Sequence, residues 1–176
     1  GDFIAQGPAS AKKIALTFDD GPGKNTEQFL NLLDKYKVKA TFFMLGQQVQ
    51  TRPKVARMVG AQGHEVGSHT YGHINYLKHL KSLGGKTDAI AQTKEDLLAD
   101  MRKTRQIIEA STGKKIRILR MPHGIDRPWI KDVAKEEGVV LVNWTYGADW
   151  TKESAEKVTR EYQKAIKPGA ILLFHD

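Results

Sequence analysis

The chain of 176 residues contains no cysteine. Disulfides and thiolate metal sites are thereby excluded, and any bound metal must take histidine and carboxylate ligands. Long apolar runs are missing too. None approaches the ~18 residues that a bilayer span needs, so no membrane span is expected. No signal peptide is visible. The sequence opens on Gly1-Asp2-Phe3 without an initiator methionine, as expected of a processed or engineered N-terminus, a reading compatible with an earlier targeting segment. Internal repeats, low-complexity tracts and domain linkers are also lacking. One domain over residues 1–176, with a sizeable core, is therefore expected. Acids are scarce beside bases, 20 Asp and Glu against 28 Lys and Arg, for a net charge of +8. That balance favours acidic surfaces: nucleic acid, anionic lipid or an anionic cell-wall polymer. A merely solvated basic surface explains it equally well.

What is present is ordered. Strand-like and helix-like patterns alternate. Apolar runs end at Phe18, Leu45, Ser68, Leu119, Trp144 and Phe174, giving six expected strands. Between them, Asn25 with Gln28 reads as a helix N-cap, followed by an apolar stripe of Phe29, Leu32, Leu33 and Tyr36. A helix is expected from Pro53 to a stop at Gly63. Residues 74–86 read as a polar, basic excursion containing a lone loop histidine, His79. A long helix over 87–112 should turn Ile90, Leu97, Met101, Ile107 and Ile108 inward, with Gly113 as its stop. Further helices are expected from Arg127-Pro128 to Gly138 and over 153–167. Alternating strands and helices predict a parallel α/β sheet covered on both faces.

Chemistry-bearing residues collect just after the strands: Asp19-Asp20, His69 and His73, Arg120, Asp149 and His175. In parallel α/β folds the C-terminal ends of the strands open onto one face, which carries the active site. Candidates spread over at least five strand ends favour a barrel over an open sheet. His69 and His73, four residues apart, can share a cation. Adjacent carboxylates point different ways, so one of Asp19 and Asp20 can bind metal while the other faces a reacting water. Two histidines and one carboxylate leave coordination positions open, which suits a catalytic metal. Arg120 could pair with Asp149, or hold Asp19 ionised. Taken singly, each of these features is also common as ordinary surface or structural chemistry. His64 reads as structural, and Met44, Met58, Met101, Met121, Trp129 and Trp144 as core.

Five segments in order, Thr17-Phe18-Asp19-Asp20-Gly21, His69-Thr70-Tyr71-Gly72-His73, Arg120-Met121-Pro122-His123-Gly124, Asp149-Trp150 and Leu173-Phe174-His175-Asp176, resemble the motifs of the polysaccharide deacetylase (NodB-homology) family, carbohydrate esterase family four. The resemblance spans nearly the whole chain. It implies a distorted (β/α) barrel of parallel strands, incomplete at the C-terminus. It implies metal-dependent removal of acetyl groups from a sugar polymer, most directly N-acetylglucosamine of peptidoglycan, ahead of chitin oligomers and acetylxylan. Carried over, Asp19 resembles the catalytic base and His175 the general acid. Asp20, His69 and His73 resemble ligands of one divalent metal, Zn²⁺ first, with Co, Ni or Mn as substitutes. Arg120, paired with Asp149, resembles the group that tunes the base. The backbone N–H of His123 matches an oxyanion-binding position, and Trp150, Leu173 and Tyr71 match the substrate pocket. The implied partner is an acetylated polysaccharide rather than nucleic acid, and the implied location is secreted or envelope-associated.

Three departures stand out. His123 replaces a frequent aromatic. Tyr146 stands where a further aspartate is frequent. The chain ends one residue after His175, where family members continue through a further helix and strand. Two rival readings are a cytoplasmic metal-dependent amidohydrolase acting on a small cyclic amide or lipid-linked sugar, and a catalytically silent module that binds carbohydrate or nucleic acid.

Overall fold

A computed structural model describes residues 3–84 and 88–176. Lys86, at the end of the expected excursion, and Thr87, the expected start of the long helix, lie outside the described residues, as do Gly1 and Asp2. Among the described residues, eight parallel strands build one sheet: β1 (Phe3–Ile4), β2 (Ala15–Asp19), β3 (Thr41–Met44), β4 (Glu65–Ser68), β5 (Ile118–Leu119), β6 (Val140–Val142), β7 (Tyr146–Gly147) and β8 (Ile171–His175). Their order across the sheet is β1-β6-β5-β4-β3-β2-β8-β7. β6 and β7, at opposite sides of this sheet, are separated in sequence by only Asn143, Trp144 and Thr145. The sheet therefore curls on itself as an incomplete, distorted (β/α) barrel. Two strands beyond the expected six, β1 and β7, have two residues each, too short for any alternating pattern to mark them.

Among the described residues, seven helices cover the sheet: α1 (Thr26–Lys35), α2 (Gly46–Thr51), α3 (Pro53–Ala61), α4 (Tyr76–Ser82), α5 (Ala89–Thr112), α6 (Pro128–Glu136) and α7 (Ala155–Ala165). Alternation along the strands sorts side chains between two layers. Phe18 and Phe42 stack at 5.0 Å between centroids, and Phe29 of α1 joins Phe18 at 4.9 Å. The intervening positions on β2, Thr17 and Asp19, meet the buried Arg120 side chain instead. Both faces are buried, which explains the nearly continuous apolar strands.

Several helical expectations are corrected. On α1 the buried face is Thr26, Leu30 and Leu33, while Leu32 and Tyr36 are 50% and 65% exposed. The i, i+4, i+7 set of Thr26, Leu30 and Leu33 is the face that meets the core. Asn25 makes no side-chain cap bond. Thr26 Oγ1 instead accepts from Gly23 N–H at 2.8 Å and donates to Asp176 at 2.7 Å. Ile90 is exposed, because the inner face of α5 is completed by threonines. Thr93 and Thr112 bury their hydroxyls by donating to the carbonyls of Ala89 and Ile108. The excursion contains α4, capped by Asn75, whose side-chain oxygen accepts from Leu77 and Lys78 N–H. His79 is therefore a helical residue, and its Nε2 lies 2.7 Å from Asp96. His64 accepts the Ala40 N–H on Nδ1 at 3.1 Å. Burial, with Lys39 and Lys114 nearby, pulls its pKa down and keeps it a neutral acceptor.

Candidate active site and metal centre

Parallel register places the site. Thr17 pairs with Leu173 and Asp19 with His175 across β2 and β8. The loop after β4 is stitched to its neighbours through His69 N–H to Met44 O and Arg120 N–H to Ser68 O. Asp19, Asp20, His69, His73, Met121, His123, Trp144, Trp150, Leu173 and His175 line one cleft of about 370 Å³ at the C-terminal ends of the strands. Among the described residues outside glycine, six have positive φ. Four of them, Asp20, Thr70, His73 and His123, belong to this region. Backbone strain gathers where side chains must be aimed.

The donor set fits one divalent cation. Asp20 Oδ1 lies 3.3 Å from His69 Nε2 and 3.5 Å from His73 Nε2. Two donors each ~2.1 Å from a tetrahedral ion are separated by about 3.4 Å. Asp20 Oδ1 is buried with no hydrogen-bond partner, an arrangement that is costly without a cation. His69 Nδ1 is 2.6 Å from the Arg120 carbonyl. The nitrogen facing a carbonyl must carry the proton, so Nε2 presents a lone pair toward Asp20. Burial works to raise the Asp20 pKa, but the facing imidazoles of His69, His73 and His175 bring it below the ordinary value. Burial pulls His73 down, against the opposing charge of Asp20. Both shifts favour the ligand-competent forms.

Arg120 plugs the inside of the curled sheet with no exposed surface. Its guanidinium donates to Thr17 Oγ1 at 2.7 Å, Asp19 Oδ1 at 2.8 Å, Asn143 O at 2.9 Å and Val142 O at 3.3 Å. It also lies 4.2 Å from the Phe43 ring centroid. The expected Arg120–Asp149 pair is thus corrected: Arg120 takes Asp19. Asp149 instead takes His175. It accepts the His175 backbone N–H on Oδ2 at 2.6 Å, and its Oδ1 lies 2.7 Å from His175 Nδ1. That hydrogen bond, opposed by burial, raises the His175 pKa.

Tyr71 is the second correction. It lies between His69 and His73 in sequence but turns away from the cleft. Its hydroxyl donates to Gln50 Oε1 at 2.7 Å, and the Lys103 ammonium sits 3.7 Å from its ring centroid. The left-handed turn at Thr70 sends it there. Trp150, 56% exposed, meets His175 edge-on at 5.6 Å and lines the cleft with Leu173. Gly147 permits this closeness, since a Cβ there would meet Leu173 Cβ at 2.8 Å and Trp150 at 3.0 Å. The His123 ring lies edge-on to His73 at 4.9 Å. Tyr146 packs outside the cleft against Tyr162. Sequence reasoning missed Trp144, expected in the core, and Thr17, the anchor of Arg120. Trp144 shares parity with Val140 and Val142, a signal that would have aimed it inward.

A family model for polysaccharide deacetylases matches residues 6–142. The chain is 34% identical over 173 residues to a peptidoglycan-N-acetylglucosamine deacetylase of Bacillus cereus, covering 96% of this chain and 75% of that one. A chitooligosaccharide deacetylase of Sinorhizobium fredii is 32% identical over 183 residues, covering 99% and 78%. The crystal structure of a carbohydrate esterase family 4 pseudoenzyme from Bacillus anthracis superposes with a TM-score of 0.84 at 28% identity, covering 98% of this chain and 58% of that one. The chain belongs to the polysaccharide deacetylase family, hydrolases that act on N-acetyl amide bonds.

Proposed function

We propose that the chain removes the N-acetyl group from N-acetylglucosamine residues of peptidoglycan, with chitin-type oligomers as second substrates. The names of the Bacillus cereus and Sinorhizobium relatives support both substrates. One observation carries the reading. An arginine-held carboxylate, Asp19, and an aspartate-held imidazole, His175, occupy paired positions on adjacent strands. They flank the only three-residue set of metal-type donors found among the described residues. A silent binding module has no need of that arrangement.

Asp20, His69 and His73 would hold the ion, with zinc proposed. A divalent metal there supplies a polarised acetyl carbonyl and a more acidic water. Asp19 takes the water proton on Oδ2, because Arg120 occupies Oδ1. Asp149 orients His175 through Nδ1–H, so that Nε2 faces the cleft and gives its proton to the departing amine nitrogen. The His123 N–H supports the oxyanion that forms as water adds. Trp150 and Leu173 wall the acetyl group. Such a substrate places the enzyme outside the cell membrane, secreted or held at the envelope.

Acetate release from peptidoglycan and from N-acetylglucosamine oligomers, by protein stripped of metal and then resupplied with Zn²⁺ or Co²⁺, tests the reading. Metal-dependent acetate from either polymer is expected. Silence on both, with metal bound, overturns it in favour of a small-amide substrate.

A further inference from the structure

The loop that carries His69 and His73 has two residues in left-handed backbone, Thr70 and His73. Such a loop does not hold its own shape cheaply. It is gripped from outside on two sides. At the start of α2, Gly46 N–H and Gln47 N–H donate to the carbonyls of Thr70 and Tyr71, both at 3.0 Å. A Cβ at Gly46 would stand 2.8 Å from Tyr71 Cδ2, so glycine is what lets the loop lie against this helix. On the other side stands Asp100 of α5. Its Oδ1 accepts the Tyr71 backbone N–H at 2.9 Å and the Thr104 hydroxyl at 3.1 Å. Its Oδ2 accepts the Tyr76 hydroxyl at 2.9 Å.

Asp100 thus gathers three donors onto one carboxylate away from the catalytic cleft. One of them is the main chain midway between the two imidazoles. Tyr76 is buried, and Thr104 is fixed in the face of α5 that packs inward. The carboxylate therefore cannot shift without moving the helix or losing a partner. The Tyr71 side chain, held between Gln50 and Lys103, prevents the loop from rotating about that bond.

We infer that Asp100 is a positioning residue for the metal centre: by holding the Tyr71 N–H it fixes the distance and aim of His69 and His73 toward Asp20. The inference rests on the metal-centre reading above and adds a residue to it. The role is geometric, so a side chain with one well-placed acceptor should substitute. In Asp100→Asn the amide oxygen can still accept from Tyr71 and Thr104, while its NH₂ donates to Tyr76 Oη. In Asp100→Ala nothing accepts.

Isothermal titration of Zn²⁺ into metal-free protein, with unfolding of each apoprotein followed alongside, tests this. Asp100→Ala is expected to weaken Zn²⁺ affinity about tenfold while still unfolding cooperatively, and Asp100→Asn to stay within about threefold of wild type. Wild-type affinity in Asp100→Ala overturns the inference. So does an equal loss in both variants, which would assign the effect to charge. Should Asp100→Ala fail to fold, amide exchange of Tyr71 in wild-type apoprotein decides. Protection at least tenfold above an unstructured amide is expected, and exchange at the unstructured rate overturns the clamp. Wild-type protein that takes up no Zn²⁺ overturns the metal centre itself, while the exchange measurement still reports on Asp100.

Discussion

Asp19 and His175 stand side by side across the β2–β8 ladder, yet each is held by a different charge: Asp19 by the buried Arg120, His175 by Asp149. Register brings the two groups together, and separate partners give them opposite hydrogen-bonding roles. One is fixed as an acceptor and the other as a donor.

Replacing Asp19 with asparagine keeps the shape and removes the base. Acetate release is expected to fall ~10²–10⁴-fold. Metal content by atomic absorption should remain at one ion per chain. Normal turnover in this variant would take the base role from Asp19.

The proton on His175 sets an alkaline limit. Its pKa lies above the ordinary 6.5, chiefly through the Asp149 hydrogen bond. Turnover by a protonated acid should therefore be full below that raised value and fall as pH climbs through it. Asp149→Asn removes the supporting charge, so the alkaline limb of kcat should move to lower pH. For folding, the pair stabilises the protein below the unfolded imidazole's pKa, and that contribution is lost as pH rises through the folded one. A limb that stays in place in Asp149→Asn would detach it from His175.

Arg120→Met removes four hydrogen bonds at once and leaves Asp19 buried beside an uncharged side chain. Loss of one partner of a buried pair costs about 3–5 kcal/mol. Urea unfolding at neutral pH should show a loss of this order. A cost below ~1 kcal/mol would mean that Asp19 finds other support.

Trp150 is more than half exposed, so Trp150→Ala should leave unfolding free energy within ~0.5 kcal/mol of wild type. Lost contact with the sugar and acetyl group should lower kcat/KM about tenfold, on the scale of ~1.5 kcal/mol of buried apolar contact. Unchanged kcat/KM on a hexamer would place the polymer elsewhere.

The site's membership was legible because strand ends are legible: an apolar run stops, and Asp19, His69, Arg120 or His175 follows. Partnership was not. Spacing says that Arg120, Asp19 and Asp149 open onto one face, but the depth at which Arg120 enters the barrel decides which carboxylate it takes. Thr17, a residue with no obvious charge chemistry, marks that depth. Tyr71 was misplaced for a similar reason, since a single left-handed residue, Thr70, reverses the direction of the side chain after it. On α1 two overlapping apolar stripes were both present in the sequence, and only packing against the core, which buries Leu30 and Leu33 and leaves Leu32 and Tyr36 in solvent, selects between them.

The left-handed residues of the mouth bear on how such a protein can change over generations. Asp20, Thr70, His73 and His123 each hold a conformation that costs an L-residue about 1 kcal/mol and costs glycine almost nothing. Drift at Asp20 or His73 is therefore cheap for the fold and ruinous for the chemistry. A descendant that no longer needed its catalysis could shed it with little loss of sturdiness, and the barrel would survive as a scaffold for other work.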